Sequence, residues 1–259
     1  MPTSTATYLY CVVKAPRAPS LARVPAGLAG ATAPAAHRVA PSLWLIAADV
    51  PLSIYASPEL DSRLRDLDWV ARAALAHEGV VEHFARSRAA SVIPAKLFTM
   101  FSSIEKALAD VAGRRTSLDR VMKRISGCEE WGIRITRQPA AAEAQPPKRA
   151  SSGAAFLAGR KAARDAVVNA RAEAASAAEQ AFKRLARIAR DATQRDKRQE
   201  PGTNPPILEA AFLVPVTARA RFKAEAARCA KACANAGAEL ILTGPWPAYN
   251  FIQSPDGWQ

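Results

Sequence analysis

The feature that most constrains this fold is a single break in composition between Gln138 and Gly153. The stretch "QPAAAEAQPPKRASSG" consists largely of proline, alanine and small polar residues and has no apolar period. Such a segment is typical of an interdomain linker, because it offers too little apolar surface to join a core. We therefore predict two domains, residues 1–138 and 154–259, joined by a Pro/Ala-rich linker at 139–153. A chain of 259 residues is long enough for two ordinary cores.

Four β-like segments precede the linker. They are either continuous apolar runs or alternate between apolar and polar residues, two patterns that indicate strands. These segments are residues 7–13, 42–50, 91–101 and 129–137. Pro94 interrupts the third segment and predicts an edge or a bulge there, because proline has no N–H for a sheet ladder. Residues 14–38 are rich in proline and glycine and predict a long irregular loop.

Helices are expected between these segments. Ser57 is expected to cap a helix with Pro58 at its first position. Its apolar face is expected from residues at helical spacing, namely Leu60, Leu64, Leu67, Ala71 and Ala74. Ser102 and Glu105 have the spacing of a capping box and predict a second helix. A short amphipathic helix follows and ends at Gly127, so the first domain is predicted to be α+β with about four strands.

The segment after the linker begins with a long predicted helix over residues 154–198. Its apolar residues form a thin stripe beside a broad charged back: Phe156, Leu157, Val167, Val168, Phe182, Leu185 and Ile188. A strand at 207–216, a helix that ends at Gly237 and a strand at 238–244 follow. The apolar face of the second helix includes Cys229 and Cys233, which accounts for this cysteine pair without a metal.

Positive charge is concentrated in the middle of the chain. The formal net charge is +13, and residues 139–200 alone carry 13 basic and 7 acidic side chains. One interpretation is a nucleic-acid-binding module, because phosphates attract such a surface. The other is a solvated helix face rich in arginine and lysine, which we favour. Only Phe156 and Phe182 lie among these charges, so stacking on bases has little support.

No pattern in the sequence predicts an active site. His77 and His83 are six residues apart, and at 3.6 residues per turn they point in different directions on a helix, so a hydrogen-bonding role at a helix end is expected for His77. The chain has no Gly-rich phosphate loop and no nucleophile elbow. We expect no enzymatic activity, no cofactor, no metal and no small-molecule substrate.

Two features of the sequence bear on the location of the protein. No apolar run is long enough to span a membrane. The first residues lack a basic region and favour a first strand over a signal peptide. A cytoplasmic protein is therefore expected.

The tail "LTGPWPAYNF" concentrates three aromatic residues around two prolines. Pro245 and Pro247 cannot donate to a sheet ladder, which excludes a central strand there. The tail is expected to be a rigid, extended edge that continues the strand at 238–244. Ligand binding, partner docking and structural anchoring are all compatible with this pattern.

Six segments, taken in order, resemble the gas vesicle protein GvpF/GvpL family. They are "YLYCVV", "AADVPLS", "LDWVARAALAHEGVVE", "VIPAKLFTMF", "EEWGIRI" and "LTGPWPAYNF". Two positions depart from the family pattern, because Cys11 and Thr99 stand where the family often has glycine. The resemblance covers both predicted domains.

The resemblance implies a second, modified ferredoxin-like domain and a role in gas vesicle assembly as an accessory or minor structural protein. The expected partners are the hydrophobic shell protein and other accessory proteins, and the expected location is the gas vesicle or the cytoplasm. The family-motif residues are expected to be structural: Trp69, His77, Pro94, Phe98, Glu130, Trp131, Gly132, Gly244, Pro245, Trp246, Pro247, Tyr249 and Phe251. Trp246, Tyr249 and Phe251 are expected to anchor the tail, so truncation of Trp246 is expected to cost about 3–5 kcal/mol.

Overall fold

The structure is a computed structural model, and it describes residues 4–86, 91–138, 153–195 and 205–252. The predicted linker, apart from Gly153, lies outside these ranges. The chain divides into two compact units. The first comprises the chain up to Glu129 together with the tail from Trp246, and the second is Glu130–Pro245.

These bounds differ from the predicted domains at both ends of the second unit. The strand that begins with "EEWGIRI" pairs within the second sheet, although it precedes the linker. The tail from Trp246 belongs to the first unit, although it follows the last strand of the second. Domain bounds follow the pairing of strands and the packing of side chains, and a composition break marks only one place where few contacts are made.

The first unit contains a five-stranded sheet. Its strands are β1 (Thr5–Lys14), β2 (Ala35–Ala40), β3 (Leu43–Pro51), β4 (Ser91–Pro94) and β5 (Met100–Phe101). The order is β2-β3-β1-β4, and β5 also pairs with β1. Strand β1 runs antiparallel to β3, from Thr5 opposite Pro51 to Lys14 opposite Leu43, with a bulge between Leu9 and Cys11.

Strand β1 is central because its side chains are apolar on both faces. Every residue from Ala6 to Val13 is buried, as expected for a strand that is covered on both sides. The break predicted at Pro94 is confirmed, since β4 ends there and pairing with β1 resumes only at Met100. Strand β2 was not predicted, and it occupies the end of a segment that we expected to be a loop.

The described residues of the first unit form five α-helices. They are α1 (Leu52–Tyr55), α2 (Glu59–Arg63), α3 (Leu67–Ala85), α4 (Ile104–Gly113) and α5 (Arg115–Ile125). Helix α3 packs in one core with Tyr8, Tyr10 and Val13 of β1. Helix α4 contacts β1 and β2, and α5 contacts β4. Helix α4 ends at Gly113, and the predicted end of the next helix at Gly127 is confirmed.

The helix starts differ from their predictions. Ser57 does not cap α2, whose N-terminal flanking residue is Pro58. The expected single helix is instead interrupted, and Asp66 caps α3 by accepting hydrogen bonds from the N–H groups of Asp68 (3.0 Å) and Trp69 (3.1 Å). The restart shifts the helical phase, so the predicted apolar face is wrong. The buried face of α3 consists of Ala73, His77, Val80, Val81 and Phe84. The cap of α4 is Ser103 rather than Ser102.

The second unit has the βαββαβ order of a ferredoxin-like fold, which confirms that prediction. Its elements are β6 (Cys128–Arg137), α6 (Gly153–Ala186), β7 (Asp191–Gln194), β8 (Leu208–Pro215), α7 (Arg219–Asn235) and β9 (Ala238–Trp246). The strand order is β7-β8-β6-β9. Strand β7 was not predicted, because the long helix ends at Ala186 rather than at residue 198.

Both helices of the second unit cover a common core. Trp131, Ile133 and Ile135 of β6 face the core, as the alternating pattern predicted. From α6 the core receives Ala174, Ala178, Ala181 and Leu185, which recur at helical spacing. From α7 it receives Phe222, Ala226, Cys229 and Cys233, again as predicted.

An ion-pair network also joins the two helices. Arg184 of α6 donates to Glu225 of α7 at 2.5 Å, and Arg228 lies 2.6 Å from the same carboxylate.

Candidate interaction surfaces

Two aromatic motif residues of the first unit stack on each other. The rings of Trp69 and Phe98 are 5.6 Å apart and almost parallel, with 7° between their planes. Phe98 adopts a left-handed backbone conformation with φ of 64°, a region that disfavours bulky residues. The guanidinium carbon of Arg63 lies over the Trp69 ring, 5.7 Å from the centroid. These two motif residues therefore stabilise the segment between β4 and β5.

His77 lies in the middle of α3, so the prediction that it bonds at a helix end is wrong. Its ring is buried, and Nδ1 is 2.7 Å from the hydroxyl oxygen of Tyr8. The Phe98 N–H donates to the same hydroxyl at 3.3 Å, so the hydroxyl hydrogen is directed to Nδ1. Burial lowers the pKa of His77 from 6.5 to about 4. His77 is thus a neutral hydrogen-bond acceptor in the core.

The tail is anchored by two of its three aromatic residues. Phe251 is 2% exposed, and the Tyr249 hydroxyl donates to the carboxylate of Glu78 on α3. Burial raises the pKa of Glu78, while the hydrogen bond from Tyr249 opposes this rise. Trp246 is 45% exposed. The prediction that Trp246 is a core anchor is therefore wrong, and Phe251 has that role.

The remaining motif residues have varied positions. Pro94 is buried at the end of β4, and Pro247 is buried in the tail, whereas Pro245 is exposed at the end of β9. Glu130 is buried on β6.

Two motif glycines of the second unit permit a close approach of β6 and β9. A Cβ on Gly132 would lie 2.8 Å from the hydroxyl oxygen of Thr243. A Cβ on Gly244 would lie 2.9 Å from the carbonyl oxygen of Glu130, and Gly244 has a φ of +117°, which favours glycine. Trp131, between the two contacts, packs near Phe222. The two glycines therefore leave the room that the β6 and β9 backbones need to lie side by side.

Strand β9 forms one edge of the second sheet and exposes apolar side chains. Leu240 and Leu242 pack against the core, while Ile241 and Trp246 are each 45% exposed. Pro245 cannot donate a backbone hydrogen bond and limits any further pairing to the preceding residues. Exposed edges of this kind are templates for pairing with another chain. We refer to Ile241 and Trp246 together with the β9 backbone as the β9 edge.

The first half of α6 is a second exposed surface. The helix contributes to the core only from Ala174 onwards. Its four large apolar side chains before that point are about half exposed or more: Phe156 (50%), Leu157 (67%), Val167 (51%) and Val168 (54%). These residues belong to the apolar stripe predicted from the sequence. The structure leaves them in solvent, and the buried positions of the helix are Leu185 and three alanines.

Within the described residues, no group of three or more His, Cys, Asp or Glu side chains is arranged to hold a metal. Cys11, Cys229 and Cys233 are buried. Burial raises the pKa of each of these thiols, so they remain protonated and are poor metal ligands and nucleophiles. None of the helices described here combines the length and apolar character needed to cross a membrane.

Together these features define a class: an α+β protein of two units with apolar side chains exposed on a sheet edge and on a long helix. A family profile described as "Gas vesicle synthesis protein GvpL/GvpF" matches residues 6–253. The chain is 31% identical over 215 residues to "Gas vesicle protein L" of Streptomyces sp., an alignment that covers 78% of this chain and 77% of that relative. The chain belongs to the GvpL/GvpF family of gas vesicle proteins.

Solved structures share the fold. The gas vesicle protein GvpF from Anabaena sp. matches with a TM-score of 0.68 and 16% identity, over 97% of each chain. GvpF from Microcystis aeruginosa matches with a TM-score of 0.61 and 15% identity, over 96% of this chain and 99% of that one. The family consists of structural or accessory proteins of gas vesicles and is not known for enzymatic activity.

Proposed function

We propose that this protein takes part in gas vesicle assembly by binding the hydrophobic shell protein, as an accessory or minor structural component located at the vesicle in the cytoplasm. Other accessory proteins are further partners in this proposal. Membership of the GvpL/GvpF family supports the gas vesicle role. The β9 edge is the observation that supports shell binding.

The hydrophobic shell protein requires a partner that covers its apolar surface. A subunit with a large apolar face aggregates unless that face is covered before assembly. A partner that offers an edge strand can pair with an extended segment through its backbone, while exposed apolar side chains cover part of the face. The β9 edge combines both elements in Ile241, Trp246 and an outermost strand.

The test is a pull-down of the shell protein with an Ile241→Lys, Trp246→Ser variant. Both side chains are exposed, so the variant is expected to fold and to lose most of its shell binding. Leu64→Lys is the matched control, because Leu64 is a comparably exposed apolar residue of the first unit. Equal recovery of the shell protein by the double variant and by the control would refute the role of the β9 edge.

A second experiment tests the location. Purified vesicles are probed for this protein before and after a wash that strips proteins from the outer surface. The proposal of a minor structural component predicts detection in unwashed vesicles. Complete absence from them would restrict the role to a step before the vesicle is complete.

A further inference from the structure

The first half of α6 is a helix that extends beyond the core of its own unit. The helix has 34 residues, and its buried positions begin at Ala174. At 1.5 Å per residue, the part before Ala174 is about 30 Å long. Most of the stability of a helix in a protein comes from packing of its apolar face, and among the described residues the core of this unit receives no side chain from this part of α6. A surface contact along this segment would therefore stabilise the helix itself as well as cover its apolar side chains.

Its side chains are distributed very unevenly around the helix axis. At 3.6 residues per turn, the four large apolar residues lie within an arc of about 120°. Arg160, Arg164 and Arg171 fall inside the same arc, between the pair Phe156 and Val167 and the pair Leu157 and Val168. The opposite side carries mainly alanine and Asp165. We call this third of the helix surface the Arg-apolar arc.

The Arg-apolar arc continues a packing face that already exists in the molecule. Phe156 and Val167 lie on the same side of the helix as Ala174 and Ala178, which pack in the core of the second unit. The guanidinium of Arg160 lies 6.0 Å from the centroid of the Phe156 ring. The same side of the helix therefore packs against the core of its own unit in its second half and is exposed to solvent in its first half.

Charge selects the kind of partner. Residues 153–172 carry four basic side chains and one acidic side chain. A second copy of this helix would bring like charges together along the contact, which is destabilising. A lipid surface is also disfavoured, because membrane-surface helices keep their basic residues outside the apolar face. Here three arginines lie between the apolar pairs and would be buried with them.

We propose that the Arg-apolar arc docks an amphipathic helix of a partner protein, in which a row of glutamate or aspartate is flanked on both sides by apolar residues. Apolar residues of that helix pack against Phe156, Leu157, Val167 and Val168, while its acidic residues pair with the arginines. This surface is distinct from the β9 edge, so the inference does not depend on shell binding.

The probe is a synthetic helical peptide of about four heptads with glutamate at positions a and d and leucine at e and g. A second peptide with lysine at a and d is the charge-reversed comparison. Binding to the full-length protein is followed by fluorescence anisotropy. The acidic peptide is expected to bind and the basic peptide is not. The affinity should fall when salt is raised from about 0.1 M to about 1 M, which shortens the Debye length from about 10 Å to about 3 Å.

Two variants locate the contact. Phe156→Ser with Val167→Ser removes apolar contacts, and Arg160→Glu with Arg164→Glu and Arg171→Glu reverses the charge. Each is expected to weaken binding of the acidic peptide at least about tenfold. The affected side chains lie outside the core of the second unit, so its thermal unfolding should be unchanged. The matched control reverses three exposed basic residues of α7, Arg221, Lys223 and Lys231, to glutamate, and it should retain binding.

Five results would overturn the inference. Equal binding of both peptides or binding of neither would do so, and so would equal losses in the charge-reversed variant and in the α7 control. Sedimentation showing a dimer that Phe156→Ser with Val167→Ser abolishes would identify a second copy as the occupant. Binding to vesicles of anionic phospholipid that the same variant abolishes would identify a membrane surface instead.

Discussion

The buried imidazole of His77 makes folding stability depend on pH. The folded protein holds this ring neutral, since burial lowers its pKa from 6.5 to about 4 and Nδ1 accepts the hydroxyl hydrogen of Tyr8. The unfolded chain takes up a proton at about 6.5. Between these two values the unfolded state binds more protons than the folded state, so stability falls as pH falls. Above 6.5 the contribution of His77 to stability is fully present.

The magnitude follows from the two pKa values. Each unit of pKa difference corresponds to about 1.4 kcal/mol, so the change from 6.5 to about 4 amounts to about 3 kcal/mol. A typical domain is stable by only about 5–15 kcal/mol, so the loss is a substantial part of the total. The variant His77→Gln keeps an acceptor for Tyr8 and removes the titrating group. As the pH falls from 6.5 to about 4, the free energy of unfolding of this variant is expected to fall less than that of the unmodified protein, and the difference is the amount given above.

Two measurements check the argument. Denaturant unfolding of both proteins at a series of pH values between 7 and 4 compares their slopes. NMR titration of the imidazole C–H signals is direct, because the chain has only 3 histidines. The signal that is absent from His77→Gln should titrate with a midpoint near 4, and His83→Gln should retain it. Parallel stability profiles, or a midpoint at 6.5 or above, would refute the assignment of a buried neutral ring.

Four further substitutions have defined expectations. Asp66→Ala removes the cap of α3 and should cost about 1 kcal/mol in denaturant unfolding, whereas no loss would exclude Asp66 as an effective cap. Gly244→Ala combines a strained φ with a Cβ at 2.9 Å from the carbonyl oxygen of Glu130, so a clear drop in melting temperature is expected, and an unchanged value would contradict this close contact. Phe251→Ala should cost about 3–5 kcal/mol as a core truncation, while Trp246→Ala should change stability by less than about 1 kcal/mol, and the reverse ranking would restore Trp246 as the anchor.

The long apolar segments could be predicted from the sequence because their patterns leave few alternatives. Strand β1 is apolar on both sides, and Trp131, Ile133 and Ile135 alternate cleanly on β6. Helix α7 has its apolar residues at regular helical spacing. In each case local preference and tertiary burial favour the same structure, which is the condition under which sequence patterns are reliable.

The elements that were missed depend on their partners rather than on their own sequence. Strand β7 has the sequence "DATQ" and forms because it pairs with β8, from Asp191 opposite Leu213 to Gln194 opposite Ala210. Strand β2 is similarly held by β3. Neither of these short strands has a clear alternating pattern of its own, so only the pairing reveals them.

The prediction of the apolar side of α6 differs from the structure for another reason. The predicted stripe consists of large apolar side chains, whereas the buried positions are mostly alanine. Alanine lets a helix approach a sheet or another helix closely, and its methyl group adds little to an apolar pattern. Phe156 and Val167 lie on the same side as the buried alanines, but they precede the part of the helix that reaches the core.

The tail motif contains both buried and exposed aromatic side chains. Phe251 and Tyr249 hold the tail in the first unit through burial and through the hydrogen bond to Glu78. Trp246, in contrast, is 45% exposed. A large exposed aromatic side chain loses apolar stabilisation in solvent, which a partner surface would restore. Under the proposed function Trp246 contacts the shell protein at the β9 edge, so the two substitutions Trp246→Ala and Phe251→Ala should affect partner binding and folding separately.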